Sequence, residues 1–206
     1  KELMKDIALF CPDLNVTISP ALRFQKLLHS TVTQKATSEP MVLLALPIFT
    51  KDSYNILKLA GILRGHFPEL RFIIKIHPGS NTRDLLAFIR KMEMENCLYQ
   101  LNMHEAILSA NLVLSGASSA VLESIFLGRR TIILSGCTGL LKNPIPAGIS
   151  RDLYSICYDE NELKHQVQCF IKDIKSGSKD RTELAIKHRN DHLELQTTKN
   201  TRDLLG

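Results

Sequence analysis

The chain has 206 residues, 44% hydrophobic and 23% charged, a globular composition long enough for one domain of ordinary size with extensions. Its net charge of +5 is dispersed among acidic residues, and with no Trp and 6% aromatic residues it lacks the Arg/aromatic interleaving that stacks bases, so no nucleic-acid partner is expected. The longest apolar run, Met41 to Phe49, contains a proline and falls far short of the roughly 20 residues of a spanning helix, so no membrane span is expected.

Five cysteines, odd in number and without a CxxC pair, argue against a disulfide framework or zinc site and for a reducing cytoplasm. The opening has no cationic, apolar, small-residue order and starts at Lys1, so a piece of a longer protein is expected, with no signal peptide.

In chain order, residues 1–39 read as an approach segment or the remnant of a preceding domain: Ile7 to Phe10 as a strand, Pro20 to His29 as a short helix, Ser30 to Glu39 as a polar linker. From Met41 the pattern sharpens. Val42 to Leu46 is the continuous apolar run of a strand covered on both faces. Ile56, Leu59, Ala60 and Leu63 then recur at helical spacing after a polar start at Thr50 to Ser53, ending near Gly65.

Arg71 to Ile76 reads as a second strand, stopped by His77-Pro78-Gly79. Thr82 to Glu95 follows as a helix with Leu85, Leu86, Ile89 and Met92 on one face. Cys97 to Leu101 is expected as a third strand, and Asn102 with Glu105 forms a capping box for a helix over Met103 to Ser109. A fourth strand at Asn111 to Leu114, a crossover helix at Ser119 to Leu127 and a fifth strand at Thr131 to Leu134 follow. Ser135 to Gly139 is a second small turn, and Tyr154 to Tyr158 a sixth strand. Asp159 and Glu162 cap a helix ending at Gly177.

Strands alternating with helices predict an α/β, doubly wound, Rossmann-like sheet of six parallel strands in order 3-2-1-4-5-6. The expected division is residues 40–178 as a nucleotide-binding domain and 179–206 as a helical extension.

Such sheets bind ligands beyond the carboxyl ends of their strands, so the loops after Ile76, Leu114 and Leu134 should share one rim. The turn Gly116-Ala117-Ser118-Ser119 is small and polar, and it sets two hydroxyls beside the N–H groups of a helix start, chemistry suited to a phosphate. Glu123, one turn inside, has the acidic oxygens that could accept from a ribose. A serine that merely caps the helix is the plainer reading, although Glu123 lies four residues after Ser119 and so outside a capping box. His77, at a strand end and followed by Pro78, could donate to a phosphate and, if protonated, offset its charge; alone it is more often a surface histidine. Lys51, Lys75 and Lys142 also fall near this rim, where lysines are usually just solvated. His188 and His192 stand four apart on a helix, for which two exposed side chains are the expectation.

In combination, His77-Pro78-Gly79 after one strand and GASSAVLE after a later one resemble the HP and SS (or ST) motifs of GT-B-fold glycosyltransferases that use CMP-activated donors, notably bacterial sialyltransferases. They also resemble CDP-glycerol glycerophosphotransferases, in which a paired serine precedes an acidic residue at the interval of Ser119 and Glu123. The resemblance covers about Met41 to Leu163. It implies the C-terminal, donor-binding half of a GT-B enzyme of surface polysaccharide synthesis. It further implies that His77, as the catalytic group, and Ser118 and Ser119 contact the donor phosphate, with Pro78, Gly79 and Gly116 forming the nucleotide turns and Glu123 near the ribose.

The same resemblance implies no cofactor and no metal, a CMP-linked nucleotide-sugar donor as substrate, a carbohydrate acceptor held through an N-terminal domain, and a cytoplasmic place, peripheral to the inner face of a membrane. The chain alone is then expected to be inactive. Arg129-Arg130 stands where these enzymes often have a small residue or proline. UDP-sugar 2-epimerases share the implied fold but have a glycine pair where Ser118-Ser119 stands, and an association domain without a ligand would show the same strands.

Overall fold

The computed structural model describes residues 7, 9–14, 24–30, 39–99, 102–136, 143–176, 181–193 and 197. Five strands form its sheet: β1 (Met41–Ala45), β2 (Arg71–Lys75), β3 (Leu112–Ser115), β4 (Arg130–Leu134) and β5 (Tyr154–Cys157). All pairings are parallel, in the order β2-β1-β3-β4-β5. Seven α-helices accompany them among the described residues: α1 (Gln25–Leu28), α2 (Thr50–His66), α3 (Thr82–Lys91), α4 (Met103–Ser109), α5 (Ser119–Phe126), α6 (Glu160–Lys175) and α7 (Thr182–His192).

The strands read as unbroken apolar runs because both faces are covered. In β1, Val42 and Leu44 enter one core with Ile56 and Leu63 of α2, Leu85 and Ile89 of α3, and Val167 of α6. Leu43 and Ala45 point the other way, into a core with Leu27 of α1, Ile107 of α4, Val121 and Phe126 of α5, and Ala185 of α7. The path β1-α2-β2 steps to one side with its helix on the first face, and β3-α5-β4 steps to the other side with its helix on the second. Opposite direction and opposite face give both crossovers the same hand.

The five strands described keep the expected order, and the expected third strand is not among them. Among the described residues, Cys97 to Tyr99 form no named strand: Glu95–Cys97 is a 3-10 turn, and Leu98 makes a single parallel bridge to Ile74, beside β2 where the third strand was expected. Gln100 and Leu101 lie outside the described residues. Upstream, α3 stops at Lys91 and not at Glu95, because Glu93 adopts φ 53°. Glu93 N–H then donates to Arg90 O and Met94 N–H to Ile89 O, the paired bonds of a Schellman ending with glutamate in the left-handed position.

Gly128, at φ 71°, closes α5 in the same way, with Gly128 N–H on Ile125 O and Arg129 N–H on Ser124 O. Buried polar groups then fasten α5 to β4: Ser124 Oγ donates to Val121 O at 2.8 Å and lies 2.7 Å from Thr131 Oγ1.

Other differences from the sequence expectation are local. Ile7, Leu9 and Phe10 are helical and not a strand, with Cys11 N–H donating to Ile7 O at 2.8 Å. Of the expected helix over Pro20 to His29, Gln25–Leu28 is α1 and residues 20–23 lie outside the described residues, as do residues 31–38 of the expected linker, Gly177 and Cys137 to Lys142. His188 is buried at 9% exposure, against the expectation of an exposed side chain, and its Nε2 accepts from Ser150 N–H at 3.3 Å.

Arg129 and Arg189 are buried cations that finish helices from a distance. Arg129 Nη2 donates to Leu108 O at 3.1 Å, at the carboxyl end of α4, and Arg189 Nη1 donates to Leu27 O and Ser30 O at 2.9 and 3.1 Å, at the end of α1. Burial pushes the charge of both guanidiniums toward the neutral form, and each carbonyl contact opposes that cost.

Candidate functional site

Parallel pairing brings every strand's carboxyl end to one rim, with Ala45 level with Lys75 and Ser115, and Leu134 level with Cys157. The chain leaves β1 toward β2 in one direction and enters β3 on the other side, so the crevice between the ends of β1 and β3 is the topological switch point. Pro47 follows β1 there and Gly116 follows β3. Ser115 Oγ, buried, donates to Ala45 O at 2.7 Å and locks the two strand ends together beneath the crevice.

His77 stands in the loop after β2, half-buried, with Pro78 and Gly79 exposed beside it. Gly79 N–H donates to His77 Nδ1 at 3.0 Å. The Nδ1 lone pair is therefore used, and the imidazole hydrogen sits on Nε2, where it can donate to a ligand.

The loop is braced. Ser80 Oγ donates to Pro47 O at 3.2 Å and reaches Ile48 O at 3.3 Å, while Ser53 Oγ donates to Pro47 O at 2.9 Å. Sequence reasoning passed over Ser53 and Ser80, whose only signal was two small hydroxyl residues flanking rim loops.

Gly79 is tightly placed: a Cβ there would come within 3.1 Å of Ile48 Cδ1 and 3.4 Å of His77 Nδ1. Gly116 is different. It is buried, and a Cβ would meet Pro47 Cγ at an ordinary 3.6 Å, so the surrounding protein does not itself require glycine there.

Ser118, not Ser119, is the N-cap of α5. Its backbone is extended, its Oγ accepts from Ala120 N–H at 3.3 Å, and Val121 N–H bonds Ser118 O. The helix start is thus already capped, which corrects the picture of open N–H groups awaiting a phosphate. The cap leaves the Ser118 hydroxyl hydrogen able to donate outward. Ser119 opens the helix and is half-buried, and Glu123 sits one turn on, half-buried, on the same helix.

His77 and the serines lie on opposite sides of β1, two strand spacings or about 10 Å apart at their strand ends. The rim therefore carries the loop of His77 and the loop of Ser118 on either side of β1. At its far side, Ser135 Oγ donates to Tyr158 O at 3.3 Å, and Tyr158 is exposed. Lys51 is exposed and Lys75 half-buried near the rim, while Lys142 lies outside the described residues. Cys157, at the end of β5, is no nucleophile: burial, then Glu162 and Asp159, push its thiol up to about 12. Among the described residues no group of three or more His, Cys, Asp or Glu could hold a metal ion, and no helix is long and apolar enough to cross a membrane.

No family model and no curated protein matches the chain. Solved structures do. The C-terminal domain of a glycosyl transferase group 1 family protein, LpcC from Francisella tularensis, superposes with TM-score 0.52 at 12% identity over 86% of this chain and 96% of that one. A TarM variant from S. aureus, in complex with fondaparinux, alpha-GlcNAc-glycerol and UDP, gives TM-score 0.53 at 13% identity over 93% of this chain. A UDP-N-acetylglucosamine 2-epimerase gives 0.55 at 13% identity over 96% of this chain. The chain spans only 37% of the TarM chain and 58% of the epimerase. What it shares with all three is a Rossmann-like α/β fold.

Proposed function

We propose that the chain is the donor-nucleotide half of a glycosyltransferase of surface polysaccharide synthesis, taking a CMP-activated sugar at the β1/β3 switch point. The observation that carries the reading is that the loops on either side of β1 each hold a side chain with a remaining hydrogen-bond donor. His77 Nε2–H is fixed by the Gly79 contact at Nδ1, and the Ser118 hydroxyl is held at the positive end of α5.

A phosphate between them would accept both hydrogen bonds as negative charge develops on the leaving nucleotide. Glu123 lies one turn deeper, where a ribose hydroxyl could donate to it. The acceptor and its base would come from a preceding domain, and transfer would invert the anomeric centre. Residues 40–178 would form the nucleotide-binding unit and 179–206 an extension packed on it.

Calorimetric titration with CMP, CDP, UMP and UDP tests this. A cytidine nucleotide should bind, and should bind less well to His77→Ala and Ser118→Ala. Binding of UDP with no cytidine binding would move the reading to a UDP-sugar enzyme such as a 2-epimerase. No binding of any of the four at millimolar concentration would favour an association domain.

A further inference from the structure

The opposite end of the sheet carries a polar cavity. β4 begins at Arg130 and β5 at Tyr154, so their first residues lie at the amino-end rim, away from His77 and Ser118. A cavity of about 530 Å³ opens there between these strand starts, α6 and the start of α7. Three guanidiniums line it, from Arg130, Arg151 and Arg181, against two carboxylates, Asp152 and Asp173.

The arginines are placed but incompletely neutralised. Arg130 Nη1 and Arg181 Nη2 both donate to one oxygen, Asp173 Oδ2, at 2.9 and 3.1 Å. Arg130 Nη2 is held by Gln166 Oε1 at 3.0 Å, and Gln166 Oε1 also accepts from Ser155 Oγ at 2.9 Å. Arg181 Nε donates to Asp152 O at 3.0 Å.

Among the described residues, Arg130 Nε is buried without a hydrogen-bond partner. Arg151 is exposed, with its guanidinium 4.7 Å from the centroid of the Tyr154 ring, so it is oriented without a direct ion pair being required. Arg181 is also the N-cap of α7, which adds a positive helix end to the same place. Burial, and then the neighbouring Arg181, disfavour the charge on Arg130, and a further anion would offset both.

We propose that this cavity binds a phosphate group, carried by a small phosphorylated molecule or by an anionic lipid headgroup. Fixed guanidinium forks match phosphate oxygens in pairs, Arg130 and Arg181 are pre-positioned by Asp173 and Gln166, and Arg151 can swing from the Tyr154 ring to close on the ligand. The site lies apart from the nucleotide rim and does not depend on the function assigned there.

Amide chemical-shift titration of the chain with pyrophosphate at low salt tests it, because shifts near Arg130, Ser155 and Arg181 report this cavity and shifts near Gly79 and Ser118 report the rim. The expected result is saturable shifts at the cavity, with the dissociation constant fitted there raised about tenfold or more in Arg151→Gln and in Arg181→Gln. Arg151 is exposed, so its replacement leaves the fold intact even if Arg181→Gln loosens α7. Flotation with vesicles of phosphatidylcholine, with and without phosphatidic acid, separates the two sources. Capture by phosphatidic acid that Arg151→Gln abolishes assigns the site to a lipid headgroup, and pyrophosphate binding without capture assigns it to a soluble phosphate. Shifts confined to the rim, no saturable shift at millimolar pyrophosphate, or cavity binding unchanged in Arg151→Gln would overturn the proposal.

Discussion

Ser118 offers a way to separate capping from ligand binding, because its hydroxyl oxygen accepts from Ala120 N–H while its hydrogen is available outward. Ser118→Ala removes the cap of an eight-residue helix, and such changes cost about 1 kcal/mol. For a domain of this size that is a fall of about 2–4 °C in melting midpoint. The same variant loses a hydrogen bond to a charged ligand and should bind a cytidine nucleotide about ten- to a hundredfold more weakly. Ser118→Asp parts the two effects. Aspartate caps as well as serine and favours the positive helix end, so stability should hold, while its carboxylate repels phosphate and binding should vanish. Thermal unfolding and calorimetry on the two variants read both quantities. Nucleotide binding by Ser118→Asp at the parent affinity would refute the assignment and leave Ser118 as a cap alone.

Three further outcomes follow from local geometry. Gly79→Ala should crowd Ile48 and the His77 ring and weaken nucleotide binding several-fold, whereas Gly116→Ala, with its Cβ at an ordinary 3.6 Å from Pro47, should bind as the parent does in the same calorimetric titration. Glu93→Gly relieves a left-handed residue and should raise stability by about 0.5–1 kcal/mol after the added flexibility of the unfolded chain, while Gly128→Ala should lower it by about 1–2 kcal/mol, both read by urea unfolding. Burial, with His192 next, lowers the pKa of His188, so the folded state prefers the neutral ring that accepts from Ser150 N–H. Its contribution is present above the ordinary histidine value of about 6.5 and is lost as pH falls below it, since the unfolded chain then binds more protons. The melting midpoint should therefore drop from pH 7.5 to 5.5, and His188→Gln should flatten that slope.

Much of the fold was legible because its signals are short-range. Val42 to Leu46 shows no alternation, which is what a strand covered on both faces requires, and Asn102 and Asp159 announced helix starts that their side chains do cap, accepting from Glu105 N–H and Glu162 N–H. Of the expected third strand, Cys97 to Leu101, the described part shows the 3-10 turn at Glu95–Cys97 taking up its beginning and one parallel bridge from Leu98 to Ile74, a long-range pairing that its strand-like sequence does not specify.

The site was legible as a rim and not as a set of contacts. Either hydroxyl of Ser118-Ser119 could have capped α5, and only the backbone dihedrals decide for Ser118. The tautomer of His77 depends on Gly79 N–H, and the buried roles of Arg129, His188 and Arg189 depend on carbonyl or N–H partners 21 or more residues away, which no local pattern reveals.

The central claim is that a nucleotide phosphate sits between His77 and the start of α5. Amide shifts on adding CMP test it most directly: the account predicts saturable changes concentrated at residues 77–80 and 116–121, with the Arg130 and Arg181 amides unmoved. Changes centred elsewhere, or none as CMP reaches millimolar concentration in a folded chain, would contradict it.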